Sequence, residues 1–298
     1  MMSRLRDNIN LGPSYLREEI KKGYVMAPGI FSGISAIIAE RAGFKAGYIS
    51  GSGIAGMMGL PDLSLTTLTE VVDEVRKIVS ISKLPVIVDV DTGFGETLNV
   101  IRTVRMLESA GASGIHIEDQ ELPKKCGHLP GKKVISAEDM QKKIMAAVDA
   151  RKNDDFLIIA RTDSRAVEGF DRAVERGKMY IESGADMIFP EALENENEFR
   201  EYAKNVKPLL ANMTEFGKSP LITAKELGEM GYSIIIFPLT AFRAHLLTIE
   251  KIYNLLAKEE TQRNFIEKLM TRQKFYEYIG YDDYEKEDME LFMKKLIK

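Results

Sequence analysis

One short pattern recurs along this chain: helix-favouring sequence ends at a glycine, and an apolar run follows within a few residues. It occurs as ERAGFKAGYIS (40–50), ESAGASGIHIED (108–119), IESGADMIFPE (181–191) and EMGYSIIIFPL (229–239). A glycine just past a helix end adopts the left-handed conformation at little cost and so stops the helix. The recurring unit is therefore a helix that is followed directly by a buried strand.

Counting every such apolar run predicts eight strands. They lie at about 24–28, 46–50, 85–90, 113–118, 156–161, 186–190, 208–212 and 234–238. Apolar and polar residues do not alternate in them, which is typical of parallel strands covered by helices on both faces. Eight strand–helix units in about 240 residues have the length of an α/β fold of the (β/α)8 TIM-type barrel class. A doubly wound open sheet is the alternative with the same alternation.

The 298 residues are predicted to form a single domain, 1–298, with the barrel at about 23–249 and a C-terminal helical extension at about 250–298. The extension is charged and helix-favouring, and it is longer than a barrel requires. We expect it to pack against another subunit, or to be exchanged with it, in a homo-oligomer.

The composition excludes several classes of protein. With 41 Lys and Arg against 45 Asp and Glu the formal charge is −4, and no basic stripe alternates with aromatic residues, so nucleic acid is not an expected partner. No run approaches the ~20 apolar residues of a membrane span, and the N-terminus has no apolar signal core. The single cysteine excludes an internal disulfide framework and favours a reducing, cytoplasmic location.

Polar residues follow most of the predicted strands at their carboxyl ends, where (β/α)8 barrels carry their active sites. They are Tyr48, Ser50, Asp89, Asp91, His116, Glu118, Arg161, Asp163, Glu191, Asn212, Thr214 and, a little further on, Arg243. Several carboxylates converging on one mouth are hard to stabilise without a cation or a charged ligand. The sequence therefore predicts a site for such a ligand at this end of the barrel.

Asp89 and Asp91 are two residues apart, so both side chains point to the same side of an extended chain. Together with Glu118 they offer hard oxygen ligands, which suit Mg²⁺ or Mn²⁺. In the alternative without a metal, Asp91 caps the following turn and Asp89 pairs with Arg161. We prefer the metal site because Glu118 and Glu191 converge on the same place.

The segment GSGIAG (51–56) follows a predicted strand and matches the G-x-G-x-x-G pattern of dinucleotide-binding sites. That pattern also requires an acidic residue at the end of the next strand, whereas Glu70 and Asp73 lie inside a predicted helix. We therefore prefer the interpretation that these glycines let backbone N–H groups approach a carboxylate ligand.

The only cysteine lies in the segment ELPKKCGHLPGKKV (121–134). Because positive charge stabilises a thiolate, Lys124, Lys125 and His128 are expected to lower the pKa of Cys126. The alternative is a polar surface loop that contains an inert cysteine. Residues 121–133 have little to bury, so we expect this loop to be mobile without ligand.

Nine motifs carry a resemblance that runs from Gly23 to Tyr284. They are YISGSG, GLPDL, VDVDTGFG, GIHIEDQ, KKCGHLPGK, ARTD, FPEA, NMTEFG and FPLTAFRA. In them the chain resembles the isocitrate lyase and phosphoenolpyruvate mutase superfamily, and KKCGH is typical of its lyases. The resemblance implies Mg²⁺-assisted cleavage of 2-methylisocitrate to pyruvate and succinate, with isocitrate or 2,3-dimethylmalate as alternative substrates, by a homotetramer built as a dimer of dimers.

A barrel that binds a dicarboxylate or a nucleotide without catalysis is the hypothesis outside the enzymes. The cysteine in KKCGH (124–128) argues against it, because a binding module has no need of a proton donor there.

The resemblance also implies catalytic and metal-binding roles. Asp89 and Asp91 correspond to the metal-site aspartates, and Glu118 to a ligand that acts through water. Cys126 corresponds to the acid that protonates the carbanion, on a loop that closes over the substrate. The base that takes the hydroxyl proton would be Tyr48, with Glu118 as the alternative.

The other implied residues surround the substrate. The doubly charged enolate left after cleavage needs positive groups around it, and these would be Lys124, His128 and Arg161. The keto-acid part would be held by Tyr48, Ser50, Gly51, Ser52 and Arg161, with Asp62 and His116 in support. The succinate part would be bound by Gly127, Glu191, Asn212, Thr214 and Arg243. Phe94, Phe189 and Leu239 are expected to frame the substrate methyl group.

Overall fold

The computed structural model describes residues 9–296, and a parallel barrel forms its centre. The strands are β1 Val25–Pro28, β2 Gly47–Ile49, β3 Val86–Asp89, β4 Gly114–Glu118, β5 Leu157–Thr162, β6 Met187–Pro190, β7 Leu209–Asn212 and β8 Tyr232–Phe237. They form one sheet in the order β1-β8-β7-β6-β5-β4-β3-β2. A parallel bridge between Gly29 and Tyr48 joins β1 to β2 and closes the ring. The predicted barrel is confirmed, with each strand end within two residues of its predicted position.

Helices surround the strands. They are α1 Gly12–Lys21, α2 Gly33–Arg41, α3 Gly51–Met57, α4 Leu68–Val79, α5 Thr97–Ser109, α6 Ala137–Ala150, α7 Arg165–Glu168, α8 Phe170–Glu182, α9 Glu196–Asn205, α10 Ala224–Met230, α11 Thr240–Glu259, α12 Arg272–Ile279 and α13 Tyr281–Leu296, with a 3₁₀ helix at Arg263–Lys268.

Helix α4 shows how local sequence sets an element. The Thr67 side chain accepts a hydrogen bond from the backbone N–H of Glu70, and the Glu70 carboxylate accepts one from the backbone N–H of Thr67, which is a capping box. The buried residues Val71, Val75 and Ile78 recur at helical spacing and face the strands. The helix therefore begins at its cap and is held by one apolar stripe.

The barrel interior explains why functional side chains collect at one end. Ile87, Ile159 and Leu210 fill the interior. Because side chains alternate along a strand, the residue two positions further on also points inward. Asp89 and Arg161 stand in that position after Ile87 and Ile159. A packed apolar layer thus lies directly beneath a polar one at the carboxyl ends of the strands.

Gly29 allows the barrel to close. Its N–H donates to Phe237 O at 2.8 Å, and a Cβ atom at this position would lie 1.9 Å from Pro238 O. Backbone atoms cannot move aside as a flexible side chain can, so a residue with a side chain does not fit at this seam.

Beyond β8 the chain continues as helices that bury few side chains. Phe242 is the buried residue of α11, and none of α12 is buried. The α12 helix lies against α2, where the Arg41 guanidinium stands 4.8 Å over the Tyr278 ring. The helical extension is confirmed, whereas its exchange between subunits and the single-domain organisation stay predictions. No helix within residues 9–296 combines the length and the apolar character that crossing a membrane requires.

Candidate active site

The carboxyl ends of the strands open into one pocket, and most of the predicted site residues line it. They are Tyr48, Ser50, Ser52, Asp62, Asp89, Lys124, Cys126, Gly127, His128, Arg161, Glu191, Asn212, Thr214 and Arg243. Phe189, Pro238 and Leu239 add an apolar wall. The fold thus brings together residues from β2 through to α11.

This pocket is almost filled by its own side chains. Its volume is about 70 Å³, whereas small-molecule sites usually offer roughly 300–1,000 Å³. The Cys126 loop forms its roof, because Lys124, Cys126, Gly127 and His128 are part of the lining. The loop is therefore seated on the mouth in this structure and leaves little free space beneath it. The mobility of the loop stays a prediction.

The four other predicted site residues, Gly51, Asp91, His116 and Glu118, lie directly behind the lining. The Gly51 N–H donates to Asp89 Oδ2 at 3.1 Å, and a Cβ atom on Gly51 would stand 3.3 Å from Asp91 Oδ1. The start of GSGIAG therefore presents its backbone to a carboxylate, but the carboxylate is the protein's own Asp89.

Tyr48, His116 and Asp89 form a buried group at the base of the pocket. Tyr48 Oη lies 2.6 Å from His116 Nε2, and the same nitrogen lies 3.4 Å from Asp89 Oδ1. Burial lowers the pKa of His116 to about 4, so the imidazole is neutral at pH 7. Burial and the negative charge of Asp89 raise the pKa of Tyr48 well above its usual value, so Tyr48 is a phenol.

Arg161 ties together the carboxylates of three elements. Its Nε lies 2.9 Å from Asp163 Oδ2, its Nη1 3.2 Å from Glu118 Oε2 and its Nη2 3.3 Å from Glu191 Oε2. The alternative in which Arg161 pairs with Asp89 is wrong, because these partners take up its guanidinium nitrogens. Burial opposes the charge, but Asp163, Glu118 and Glu191 outweigh it and raise the pKa of Arg161.

The pKa values of the two glutamates around Arg161 are shifted in opposite directions. Burial raises the pKa of Glu118 well above its usual range. For Glu191 burial acts in the same direction, but Arg161 and His128 outweigh it and the pKa is lowered. His128 explains part of the difference, since its Nε2 lies 3.0 Å from Glu191 Oε1.

Lys124 joins the loop to the aspartates. Its ammonium lies 2.5 Å from Asp62 Oδ1 and 2.8 Å from Asp91 Oδ1. Ser64 Oγ donates to Asp91 Oδ2 at 2.8 Å. Burial and the nearby Asp89 raise the pKa of Asp91, while the carboxylates around Lys124 overcome its burial and raise the pKa of the ammonium.

The predicted metal ligands Asp89, Asp91 and Glu118 do not form a ready-made direct site. Within residues 9–296, no group of three or more His, Cys, Asp or Glu side chains is arranged to hold a metal ion. Asp91 Oδ1 and both Glu118 oxygens are nevertheless buried without a hydrogen bond among the described residues. Asp91 Oδ1 and Glu118 Oε2 face the charges of Lys124 and Arg161, whereas Glu118 Oε1 has no such ion pair. Buried carboxylate oxygens that accept no hydrogen bond suit a hard divalent cation that keeps part of its water shell. The donor set therefore fits Mg²⁺, with water-mediated contacts.

The thiol of Cys126 is in the opposite state from the one expected. The Lys124 ammonium forms ion pairs with Asp62 and Asp91, so these carboxylates neutralise its charge. Burial then dominates and raises the pKa of Cys126, with a smaller contribution from Glu191. The prediction of a lowered thiol pKa is wrong, and Cys126 carries its proton at neutral pH.

Phe94 does not reach the substrate pocket, so its predicted part in framing the methyl group is wrong. It has a φ of +58° just after Gly93, which turns it away. It lines a neighbouring cavity of about 420 Å³ together with Asp91 and Arg102. The predicted Phe189 and Leu239 do line the pocket, joined by Pro238.

Several residues around the site were given no role from the sequence. Asp163 stands two positions after Arg161, and this spacing alone could have predicted their pairing. Gln120 donates from its side chain to Lys125 O at 2.9 Å and accepts from Lys125 N at 3.0 Å. Lys132 is buried beside Asp163. No local signal distinguishes this lysine from the other three in the loop.

A closed parallel barrel with these charged side chains and a thiol at its carboxyl-terminal mouth defines an enzyme of the (β/α)8 class. The family model for phosphoenolpyruvate phosphomutase matches residues 16–257. The chain belongs to this family.

Individual relatives narrow the comparison. The 2-methylisocitrate lyase of Aeropyrum pernix is 56% identical over 281 residues, which cover 94% of this chain and 91% of that protein. The crystal structure of a 2,3-dimethylmalate lyase superimposes with a TM-score of 0.88 at 34% identity, covering 98% of this chain and 96% of that one. A phosphonopyruvate hydrolase in complex with oxalate and Mg²⁺ superimposes with a TM-score of 0.84 at 27% identity, covering 100% of both chains. The identity to lyases over nearly the whole chain makes this protein a lyase.

Proposed function

We propose that this protein cleaves 2-methylisocitrate to pyruvate and succinate. The observation that carries the proposal is the position of Cys126, whose thiol lines the same pocket as Arg161, His128 and Tyr48, with His116 2.6 Å behind Tyr48. The breakdown of a 2-hydroxy tricarboxylate requires a proton donor beside positive groups that stabilise the carbanion. The resemblance to 2-methylisocitrate lyases over nearly the whole chain supports the choice of substrate.

We propose Mg²⁺ as the cofactor. Asp89, Asp91 and Glu118 would hold the ion, since they supply buried oxygen ligands on neighbouring strands. The Mg²⁺ complex of the related phosphonopyruvate hydrolase supports this choice. A bound Mg²⁺ would act as a Lewis acid toward the carbonyl and carboxylate that form during cleavage.

The reaction begins with loss of the substrate hydroxyl proton, and we assign the base to Tyr48. It lines the pocket, whereas Glu118 lies behind Arg161. A phenol with a raised pKa can accept this proton only as it passes its own to a neighbour. His116 Nε2 lies 2.6 Å away and is neutral, and the imidazolium that forms would face Asp89 Oδ1 at 3.4 Å.

The second step breaks the bond between the hydroxyl-bearing carbon and its neighbour. The electron pair of the former O–H bond forms the second C–O bond of the pyruvate carbonyl. The electron pair of the broken C–C bond stays on the carbon that becomes part of succinate. Arg161 and His128, which face this part of the pocket, stabilise the negative charge. Cys126 then donates its S–H proton to that carbon and is left as a thiolate.

The polar wall from Glu191 to Arg243 binds the succinate carboxylates. The Asn212 side-chain amide donates to Glu191 Oε2 at 3.2 Å, and Arg243 Nη1 donates to Glu215 O at 2.9 Å. These contacts fix the orientation of the donors before substrate binds. Ser50, Gly51 and Ser52, at the start of α3, remain the proposed contacts for the keto-acid part.

We expect 2-methylisocitrate to be cleaved with a higher kcat/KM than isocitrate. The methyl group would lie against Phe189, Pro238 and Leu239, the apolar wall of the pocket. One buried methyl group contributes about 1–3 kcal/mol, or roughly 10–200-fold in specificity. Release of pyruvate or glyoxylate from a panel of 2-hydroxy acids measures the ratio. A preference for isocitrate or 2,3-dimethylmalate would overturn the substrate but not the lyase chemistry.

We propose that the protein is a homo-oligomer, a dimer of dimers, in which a second copy covers the C-terminal extension. Tyr253, Ile266 and Phe292 are each more than 60% exposed, and several exposed apolar side chains on one segment are characteristic of an interface. Sedimentation at micromolar concentration should give a species larger than the 33.5 kDa chain. Removing residues 261–298 should lower the oligomeric state, and a full-length monomer would contradict the proposal.

We also propose a cytoplasmic location, supported by the single free cysteine, which suits a reducing compartment.

A further inference from the structure

One buried lysine under the Cys126 loop has no part in the chemistry above. The side chain of Lys132 is 1% exposed, whereas the next residue, Lys133, is exposed to solvent. Burying an ammonium group is unfavourable unless its charge and its hydrogen bonds are satisfied. The partners of Lys132 therefore indicate what it does.

Those partners belong to two parts of the active site. Lys132 Nζ lies 2.7 Å from Asp163 Oδ1 and also donates to the backbone carbonyl of Gly127. Gly127 stands between Cys126 and His128 in the loop. Asp163 follows β5 and accepts a hydrogen bond from Arg161 Nε at 2.9 Å. A single ammonium thus connects the backbone beside the thiol to the carboxylate that orients Arg161.

Gly127 shows how closely the loop is held. A Cβ atom on Gly127 would lie 2.4 Å from Glu191 Cγ and 2.5 Å from Arg161 Nη2. The backbone therefore rests directly on the groups that line the pocket. Charge-assisted hydrogen bonds are about twice as strong as neutral ones, so the Lys132 contact holds this segment more firmly than a neutral hydrogen bond would.

The other side of the cysteine is anchored independently. The Gln120 side chain makes hydrogen bonds to both the N–H and the carbonyl of Lys125. Gln120 also pairs with Val134 in an antiparallel bridge at the base of the loop. Lys125 and Gly127, the two neighbours of Cys126, are thus both fixed through their backbones.

We propose that Lys132 is a positioning residue, whose ammonium seats the Cys126 loop through the Gly127 carbonyl and so sets the position of the thiol over the substrate. It acts through the loop and does not touch the reacting atoms. The inference rests on the proposed function for the reaction that the thiol serves, but the seating of the loop can be measured without any substrate.

The test compares Lys132→Met, which removes the charge and keeps the length, with Lys133→Met as the matched control. We expect Lys132→Met to lower kcat about 10–100-fold, because a displacement of about 1 Å of a reacting group has that effect. KM should change much less than kcat, and Lys132→Arg should recover most of the loss because it keeps both donors. Lys133→Met should behave as the unsubstituted protein.

Alkylation of Cys126 gives a readout that does not depend on activity. The reaction reports on this thiol alone because Cys126 is the only cysteine of the chain. In the seated loop, burial and the carboxylates of Glu191 and Asp62 raise the thiol pKa, against Arg161 and a backbone hydrogen bond at His128. Unseating the loop removes burial and lowers that pKa. A drop of about one unit multiplies the thiolate fraction about tenfold below both pKa values. The alkylation rate of Lys132→Met should therefore rise about tenfold at pH 7.5, with its pH profile moved to lower pH.

The outcomes separate cleanly. A folded Lys132→Met protein with unchanged alkylation rate and unchanged kcat would overturn the proposal, as would equal effects from Lys133→Met. If Lys132→Met unfolds below the assay temperature, Lys132→Gln is used in its place. Its alkylation rate and its kcat then test the proposal in the same way. If no 2-hydroxy acid is cleaved by the unsubstituted protein, the proposed function fails, while the alkylation comparison still decides whether Lys132 seats the loop.

Discussion

We expect Cys126→Ser to lower kcat for 2-methylisocitrate cleavage by roughly 10²–10⁴-fold, the usual contribution of a general acid. A thiol has an ordinary pKa of about 8.5, whereas an aliphatic hydroxyl is a far weaker acid, so serine cannot protonate the carbanion at a useful rate. KM should change little because the loop backbone and its anchors at Gln120 and Lys132 remain. Steady-state kinetics of pyruvate release measure both constants.

The same thiol sets the alkaline limit of activity. Because the acid must be protonated, activity is present below the pKa of Cys126 and is lost as the pH rises through it. Burial raises that pKa, so the fall should come at a higher pH than the ordinary value of about 8.5. Succinate binding by Cys126→Ser, measured calorimetrically, controls for folding. Near-normal turnover of the serine variant would make Cys126 a structural residue.

The second large effect is expected from Asp89→Ala. Lewis-acid stabilisation by a divalent cation contributes several kcal/mol, so its loss should lower kcat/KM about 10³-fold or more, at 1.36 kcal/mol per factor of ten. Asp89 also accepts hydrogen bonds from the backbone N–H groups of Gly51 and Asp91, so the variant loses local order at the same place. Assays of activity at increasing Mg²⁺ concentration measure the loss of rate. Titration of the protein with Mn²⁺ measures the loss of metal binding.

Asp73→Ala is the matched control for that experiment. Asp73 is an exposed carboxylate on α4, paired with Arg76 at 3.3 Å, and neither residue lines the pocket. The Asp73→Ala variant should keep both the dependence of activity on metal and the rate of the unsubstituted protein. Exhaustive chelation should abolish the activity of the unsubstituted protein, and full turnover after chelation would refute the role of the metal.

The local chemistry of the sequence was sufficient to predict the barrel. Glycine caps and apolar runs depend on residues close together in the chain, and so each strand appeared within two residues of its predicted position. The convergence of Tyr48, Asp89, Arg161 and Glu191 followed from the same pattern. In a parallel barrel all carboxyl ends meet at one mouth, so that order along the chain becomes proximity in space.

The errors have a common physical origin. The charge near Cys126 in the sequence predicted a lowered thiol pKa, but Lys124 reaches carboxylates on other elements and burial takes over. Phe94 is adjacent to a strand end, yet a positive φ turns it into another cavity. Both depend on where a side chain points, which neighbouring residues do not determine.

The sequence by itself determined the architecture, the end of the barrel that carries the site and the residue types available there, because these follow from period, caps and strand order. Only the tertiary structure decided which charges pair. Arg161 pairs with Glu118 and Glu191 from other strands. Of the four loop lysines, Lys124 and Lys132 are buried, Lys124 against Asp62 and Asp91 and Lys132 against Asp163. Burial and ion pairing depend on distances of a few ångströms between segments remote in the chain, and those distances exist only once the barrel has closed.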